Sequence, residues 1–204
     1  LTPDSRAPAE QHGYVQTLSF VQHWDFSAAG MRRSVEDSLQ RLGLPGLDTV
    51  FIHDMDTHTQ GERASAVFRQ VLDEALPALA QLRAEGLLRH VGLGVNDPVV
   101  VAQVLRHADL DALLLAGRYT LLDTTALPEV LPLLQQRGVA LALGGVFNSG
   151  MLATRIDASR SLTFNYAPAQ QVWIDKALRL QAVCDRHAVP IEAAALQFAM
   201  HHPA

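Results

Sequence analysis

Four short runs of this chain are apolar without alternation, and the stretches between them repeat their apolar residues at helical spacing. The runs cover residues 48–52, 90–95, 111–116 and 139–143. Strands covered on both faces read this way, because neither side of the pleat turns to water. Ahead of the first run, Met31, Val35, Leu39 and Leu42 fall on one face of a helix that Gly43 closes. Residues 64–85 predict a longer amphipathic helix, with Phe68, Leu72, Leu76, Leu79 and Leu82 on one side and Gly86 as its stop. Pro77 inside it predicts a kink. Asp97-Pro98, an N-cap followed by a first-turn proline, opens a helix over 99–107. Further helices are expected over 127–137, 170–187 and, after Pro190, 191–201.

Strand and helix therefore alternate, and right-handed parallel crossovers are the expected connection. Two architectures fit: a doubly wound open sheet, or part of a (β/α)8 TIM barrel, of which these four runs would be half. No G-x-G-x-x-G fingerprint opens the first helix, which weighs against the nucleotide-binding open sheet. Residues 1–27 lack helical period and carry Pro3, Pro8 and Gly13, so they read as an irregular connection with one hairpin. The strand–helix units occupy 28–204, and the whole of 1–204 is expected to be one partial barrel domain.

Composition narrows the class. Of 204 residues, 49% are hydrophobic and 18% charged, with a net charge of −5, which argues against a nucleic-acid or anionic-membrane partner. Cys184 is the single cysteine, so a disulfide framework is excluded and a reducing, cytoplasmic setting is expected. No run approaches the roughly 20 apolar residues of a membrane span, and no secretory signal opens the sequence.

The chemistry is expected at the strand C-terminal ends, the active face of either architecture. Those ends carry His53, Asp54 and Asp56, then Asn96 and Asp97, then Arg118 and Tyr119, then a glycine-bounded loop over 144–150. His53 can orient or protonate a substrate oxygen, or simply bond a neighbouring carbonyl. With Asp54, Asp56 and His58 it could also ligate a divalent metal, as in a metal-dependent hydrolase or lyase, although ligands crowded on one loop support that weakly. No metal is expected. The 144–150 loop can cradle a pyrophosphate on its amides or be a tight turn, and Asn96 can hold a ligand or cap its helix.

The residues at these places resemble the aldo-keto reductase family. Ser34-Val35-Glu36-Asp37-Ser38-Leu39-Gln40-Arg41-Leu42-Gly43-Leu44, with the strand ending Ile52-His53, is similar to a long family signature. The segments Phe51-Ile52-His53-Asp54-Met55-Asp56, Ala116-Gly117-Arg118-Tyr119, Gly145-Val146-Phe147-Asn148-Ser149-Gly150 and Asn165-Tyr166-Ala167-Pro168 are similar to its aldose and pyridoxal dehydrogenases. The resemblance implies a (β/α)8 barrel that binds NAD or NADP without a Rossmann loop, and a small sugar or pyridoxal-like substrate. It implies a catalytic role for His53 in orienting the reacting oxygen. Asn96 would hold the nicotinamide carboxamide, and Phe147, Asn148, Ser149 and Gly150 would lie against the pyrophosphate. Asp54, Trp24 and Tyr119 are expected substrate-wall residues.

Two positions depart from the family pattern. Ala116 stands where a glutamine is usual, and Gly144 where an aromatic stacks on nicotinamide, with Tyr119 or Phe147 as possible substitutes. The rest of the family tetrad, an Asp, a Tyr and a Lys, has no match: Lys176 is the lone lysine, and Tyr14, Tyr119 and Tyr166 lie outside the motif. The expectation is a portion of a longer enzyme that lacks the first three strands and the eighth. It would oxidise an aldose or hemiacetal to a lactone, or run the reverse. A non-catalytic cofactor-binding barrel is the remaining alternative.

Overall fold

The computed structural model describes residues 2–11, 14–157, 159, 161–165 and 167–202. The opening connection holds two nested antiparallel ladders where one hairpin was expected. Strand β1 (Thr2–Pro3) pairs with β4 (Phe20–Val21), and inside that pair β2 (Glu10–Gln11) meets β3 (Tyr14–Val15). Helix α1 (Ala28–Leu42) follows, capped by the Ser27 hydroxyl, which accepts from the Gly30 amide. Gly43 ends it in the left-handed conformation, φ 65°, as the sequence requires.

The centre is a parallel sheet of four strands in chain order: β5 (Leu47–His53), β6 (Leu88–Gly94), β7 (Ala112–Ala116) and β8 (Ala140–Gly144). Between β5 and β6 lie α2 (Thr57–Gln60), α3 (Ala64–Gln70) and α4 (Leu76–Ala84); α5 (Pro98–His107) joins β6 to β7, and α6 (Val130–Arg137) joins β7 to β8. The helix predicted over 64–85 is interrupted earlier than Pro77 alone suggests. Residues Val71–Ala75 form a π-helical turn in which the Leu76 amide reaches back to the Val71 carbonyl. A proline has no N–H to give and its ring crowds the carbonyl four residues back, so the wider turn just upstream relieves both problems. Past β8 come a short ladder of β9 (Thr163–Phe164) and β10 (Ala167–Pro168), then α7 (Gln171–Arg186) and α8 (Ile191–Met200).

The two faces of the sheet differ. Ile52, Val91, Leu93, Leu113 and Leu115 pack with Val35, Leu79, Val101 and Leu105 of the helices in one buried cluster. Each such side chain contributes about 1.5–3 kcal/mol by leaving water. The alternate residues, Phe51, His53, Gly92, Gly94, Ala112 and Leu114, share the other face by register, and half of them are glycine or alanine. With the helices on one side and a concave, partly exposed face on the other, the architecture is a partial (β/α)8 barrel. A second cluster, including Leu122, Leu152, Phe164 and Cys184, anchors the segments after β7 and β8 to α7 and α8. Among the described residues no helix is long and apolar enough to cross a membrane.

Candidate active site

His53 is the last residue of β5, and the period-two alternation of a strand places it on the concave face while Ile52 beside it is buried among the helices. In the ladder it stands opposite Gly94. The ring lies directly over that glycine: a Cβ on residue 94 would come within 2.6 Å of the His53 Cδ2. Its Nδ1 is 2.8 Å from the Asp54 carboxylate oxygen Oδ1. A carboxylate only accepts, so its charge favours the hydrogen on the nearer ring nitrogen, Nδ1, and leaves Nε2 for another partner.

Asp54 is itself unusual, with φ 53°. Its amide donates to the Gly94 carbonyl at 3.2 Å, and its carbonyl accepts from the buried Gln60 carboxamide at 2.9 Å. Buried Met55 and Asp56 complete the turn, Asp56 capping α2 through the Thr59 amide. Asp54 is turned to His53, Asp56 to a helix end, and among the described residues no three His, Cys, Asp or Glu come together as a metal site.

Beyond the strand ends is a cleft of about 390 Å³, whose lining includes Asp54, Asn96, Ala116, Arg118, Asn148 and Ser149. All four strand tips therefore converge on one side of the sheet. Asn96 does not cap α5; Asp97 does that, accepting from the Val99 and Val100 amides. The Asn96 Oδ1 instead accepts from the Ala116 amide at 2.7 Å, which ties the tips of β6 and β7 together. Arg118 spans the rim. It donates to the Asn96 carbonyl at 3.2 Å and to the Asn165 side chain at 3.0 Å, and lies 3.6 Å from the buried Asp123 carboxylate.

The loop after β8 holds Asn148, Ser149 and Gly150 in left-handed conformations, φ 46°, 57° and 89°. The Asn148 carboxamide is buried, accepting from the Thr120 hydroxyl at 2.7 Å and donating to the Gly117 carbonyl at 3.4 Å. Its side chain thus braces the loop, and its amide is committed as well, donating to the Gly145 carbonyl at 2.9 Å. Ser149 lines the cleft. Phe147 packs on the second cluster, away from the cleft.

One substrate-wall expectation changes. Tyr119 is buried in the helical shell, its ring 5.1 Å from that of Phe198 and 5.5 Å from that of His202, so it cannot line the cleft or stack on a nicotinamide there. The physical reason is that the Gly117 turn, φ 68°, bends the chain off the sheet before Tyr119 is reached. Trp24 stacks on Phe26 and opens, with His53, onto a separate hollow of about 510 Å³ beside the free edge of β5. Tyr166 lies outside the described residues. Gln60, Thr120 and Asp123, buried polar residues that shape the rim, carry no signal in the sequence beyond their nearness to strand ends.

A model described as the Aldo/keto reductase family matches residues 20–204. Pyridoxal 4-dehydrogenase of Microbacterium luteolum is 42% identical over 193 residues, covering 94% of this chain and 56% of that protein. D-threo-aldose 1-dehydrogenase of a Pseudomonas species is 36% identical over 177 residues, covering 87% and 51%. Among solved structures, a glycerol dehydrogenase of Gluconobacter oxydans superposes with a TM-score of 0.67 at 20% identity, covering 88% of this chain and 54% of that one, a likeness of fold. The chain spans about half the length of the curated relatives it matches. The strand-end histidine, the parallel half-barrel and these matches agree: the chain belongs to the aldo/keto reductase family.

Proposed function

We propose that this chain carries the histidine side of the active site of an NAD(P)-dependent oxidoreductase that oxidises an aldose or similar hemiacetal to its lactone, or reduces the product back. The observation that carries the reading is the His53 ring, seated over Gly94 on the concave face with Nδ1 2.8 Å from the Asp54 carboxylate. The rim suits a nicotinamide dinucleotide. Gly94, Ala116 and Gly144 leave the concave surface bare, and Asn96 and the 145–150 loop border the cleft with amide chemistry. Bound there, the dinucleotide supplies the hydride acceptor, or the donor in reverse. The chain's own part is to hold the substrate oxygen at His53 Nε2, so that the anomeric hydroxyl stays in line as it loses its proton. The names of the relatives make free aldoses and pyridoxal the first substrates to assay. A cytoplasmic location belongs to the same proposal, supported by the lone cysteine.

The test uses the polypeptide as the cell makes it. NADH and NADPH are titrated by fluorescence, and L-galactose, other aldoses and pyridoxal are assayed with both oxidised cofactors. His53→Ala is expected to lower kcat by roughly a hundredfold with cofactor affinity held within about twofold. Cofactor binding without turnover of any of these substrates, or full turnover by the His53→Ala enzyme, overturns the proposal.

A further inference from the structure

The geometry points to Asp54 as a positioning residue that fixes the ring and tautomer of His53, with Gln60 holding Asp54 in place. The inference rests on reading His53 as the group that meets the substrate oxygen. Five observations converge on it. The Asp54 carboxylate meets His53 Nδ1 at 2.8 Å. It does so from a residue with φ 53°, a conformation in which L side chains are uncommon and which places the carboxylate back beside the preceding ring. That conformation is pinned on both sides, by the Asp54 amide on the Gly94 carbonyl and by the Gln60 carboxamide on the Asp54 carbonyl. Gln60 is buried and is itself held by Arg63, whose guanidinium donates to its Oε1 at 3.2 Å. Finally, the ring rests against the bare backbone of Gly94.

The physical consequence is specific. A neutral imidazole carries one hydrogen, and a negative, acceptor-only carboxylate 2.8 Å from Nδ1 favours that hydrogen there by its charge. Nε2 then presents a lone pair, or an N–H when the ring is protonated, along a fixed direction. Without the carboxylate, the ring is free to move its hydrogen to Nε2 and to turn about its side-chain bonds. Asp54 thereby acts through His53 and does not need to touch the substrate.

Nitrogen-15 spectra of the histidine-labelled protein read the tautomer directly, with the His53 signals assigned from a His53→Gln variant. Asp54→Gly is the clean substitution, because glycine adopts a positive φ freely and only the carboxylate is lost. The wild-type ring is expected to be protonated at Nδ1. Asp54→Gly should shift the hydrogen to Nε2, while Asp54→Asn, whose amide oxygen still accepts, should keep the wild-type pattern. In turnover, Asp54→Gly should lower kcat roughly tenfold to a hundredfold with a smaller change in KM, and Asp54→Asn should recover part of the loss. Gln60→Met, which leaves the carboxylate but frees the turn, should give a mixture of tautomers and serves where the glycine variant fails to fold. A wild-type ring protonated at Nε2, or a pattern unmoved in both variants, overturns the inference. The spectra need no turnover. Tautomer changes alongside an inactive wild type would leave the positioning role standing and remove the dehydrogenase reading. Unmoved spectra alongside an active wild type would do the reverse.

Discussion

His53 and Gly94 stand opposite each other on the β5–β6 ladder, and the imidazole Cδ2 lies 2.6 Å from where a Cβ on residue 94 would be. The contact is with the near side of the ring, so the clash cannot be relieved by the far end of a flexible chain. Gly94→Ala is expected to push His53 off the concave face, at a stability cost of about 1–3 kcal/mol. Activity should fall by more than urea unfolding shows stability to fall, and a nitrogen-15 spectrum should show the ring released from Asp54. A variant with wild-type turnover would mean that the ring position is unimportant.

Asn148 ties the loop after β8 to the segment after β7 from a left-handed backbone, φ 46°. Asn148→Ala strips an acceptor from the fully buried Thr120 hydroxyl and strains the backbone. The lost hydrogen bond costs about 0.5–1.5 kcal/mol, since the hydroxyl keeps a longer contact to the Asp123 carbonyl, and the left-handed alanine costs about 1–2 kcal/mol. Asn148→Gly removes the strain and keeps the lost bond, so its unfolding midpoint should lie between those of Asn148→Ala and wild type.

Tyr119 separates a packing role from a substrate role. Buried against Phe198 and His202, it should cost about 3–5 kcal/mol when cut to alanine, as a large core aromatic does. Tyr119→Phe, by contrast, should leave relative rates among aldoses unchanged. A changed substrate ranking in Tyr119→Phe would return this residue to the substrate wall.

At the entry to α1, the Ser27 hydroxyl and then its amide bond the Asp25 carboxylate, and Arg33 adds its charge; together they hold its pKa below the ordinary 3.8 despite some burial. A carboxylate with a lowered folded pKa stabilises the fold above its unfolded value, and that contribution is lost as pH falls through the lower folded value. The gap in unfolding midpoint between wild type and Asp25→Asn should therefore be full at neutral pH and close below about pH 4. A gap independent of pH would show that the hydrogen bonds, and not the charge, provide the stabilisation.

Much of this was written in local pattern. The four uninterrupted apolar runs became the four parallel strands within a residue or two at each end, and Gly43, Asp97 and Pro98 took the helix-boundary positions that their chemistry dictates. The helix expected from 127 begins only at Val130, since Pro128 and the turn before it delay the first bonded turn. That polar and glycine-rich tips share one side follows from parallel strands alone, because every strand then ends at the same edge.

The sequence by itself determined the alternation of strand and helix, the edge at which chemistry gathers and the family signature around His53. Tertiary structure decided what each polar side chain is for. Asn96 is committed to the Ala116 amide, Asn148 to Thr120, Asp54 to the imidazole, and Tyr119 to the core. These assignments join residues 20 to 79 positions apart, or hang on one backbone angle, φ 53° at Asp54. Periodicity reports which face a residue occupies, but the partner it meets there is set by how strands register and where loops return, and neither is encoded in local spacing.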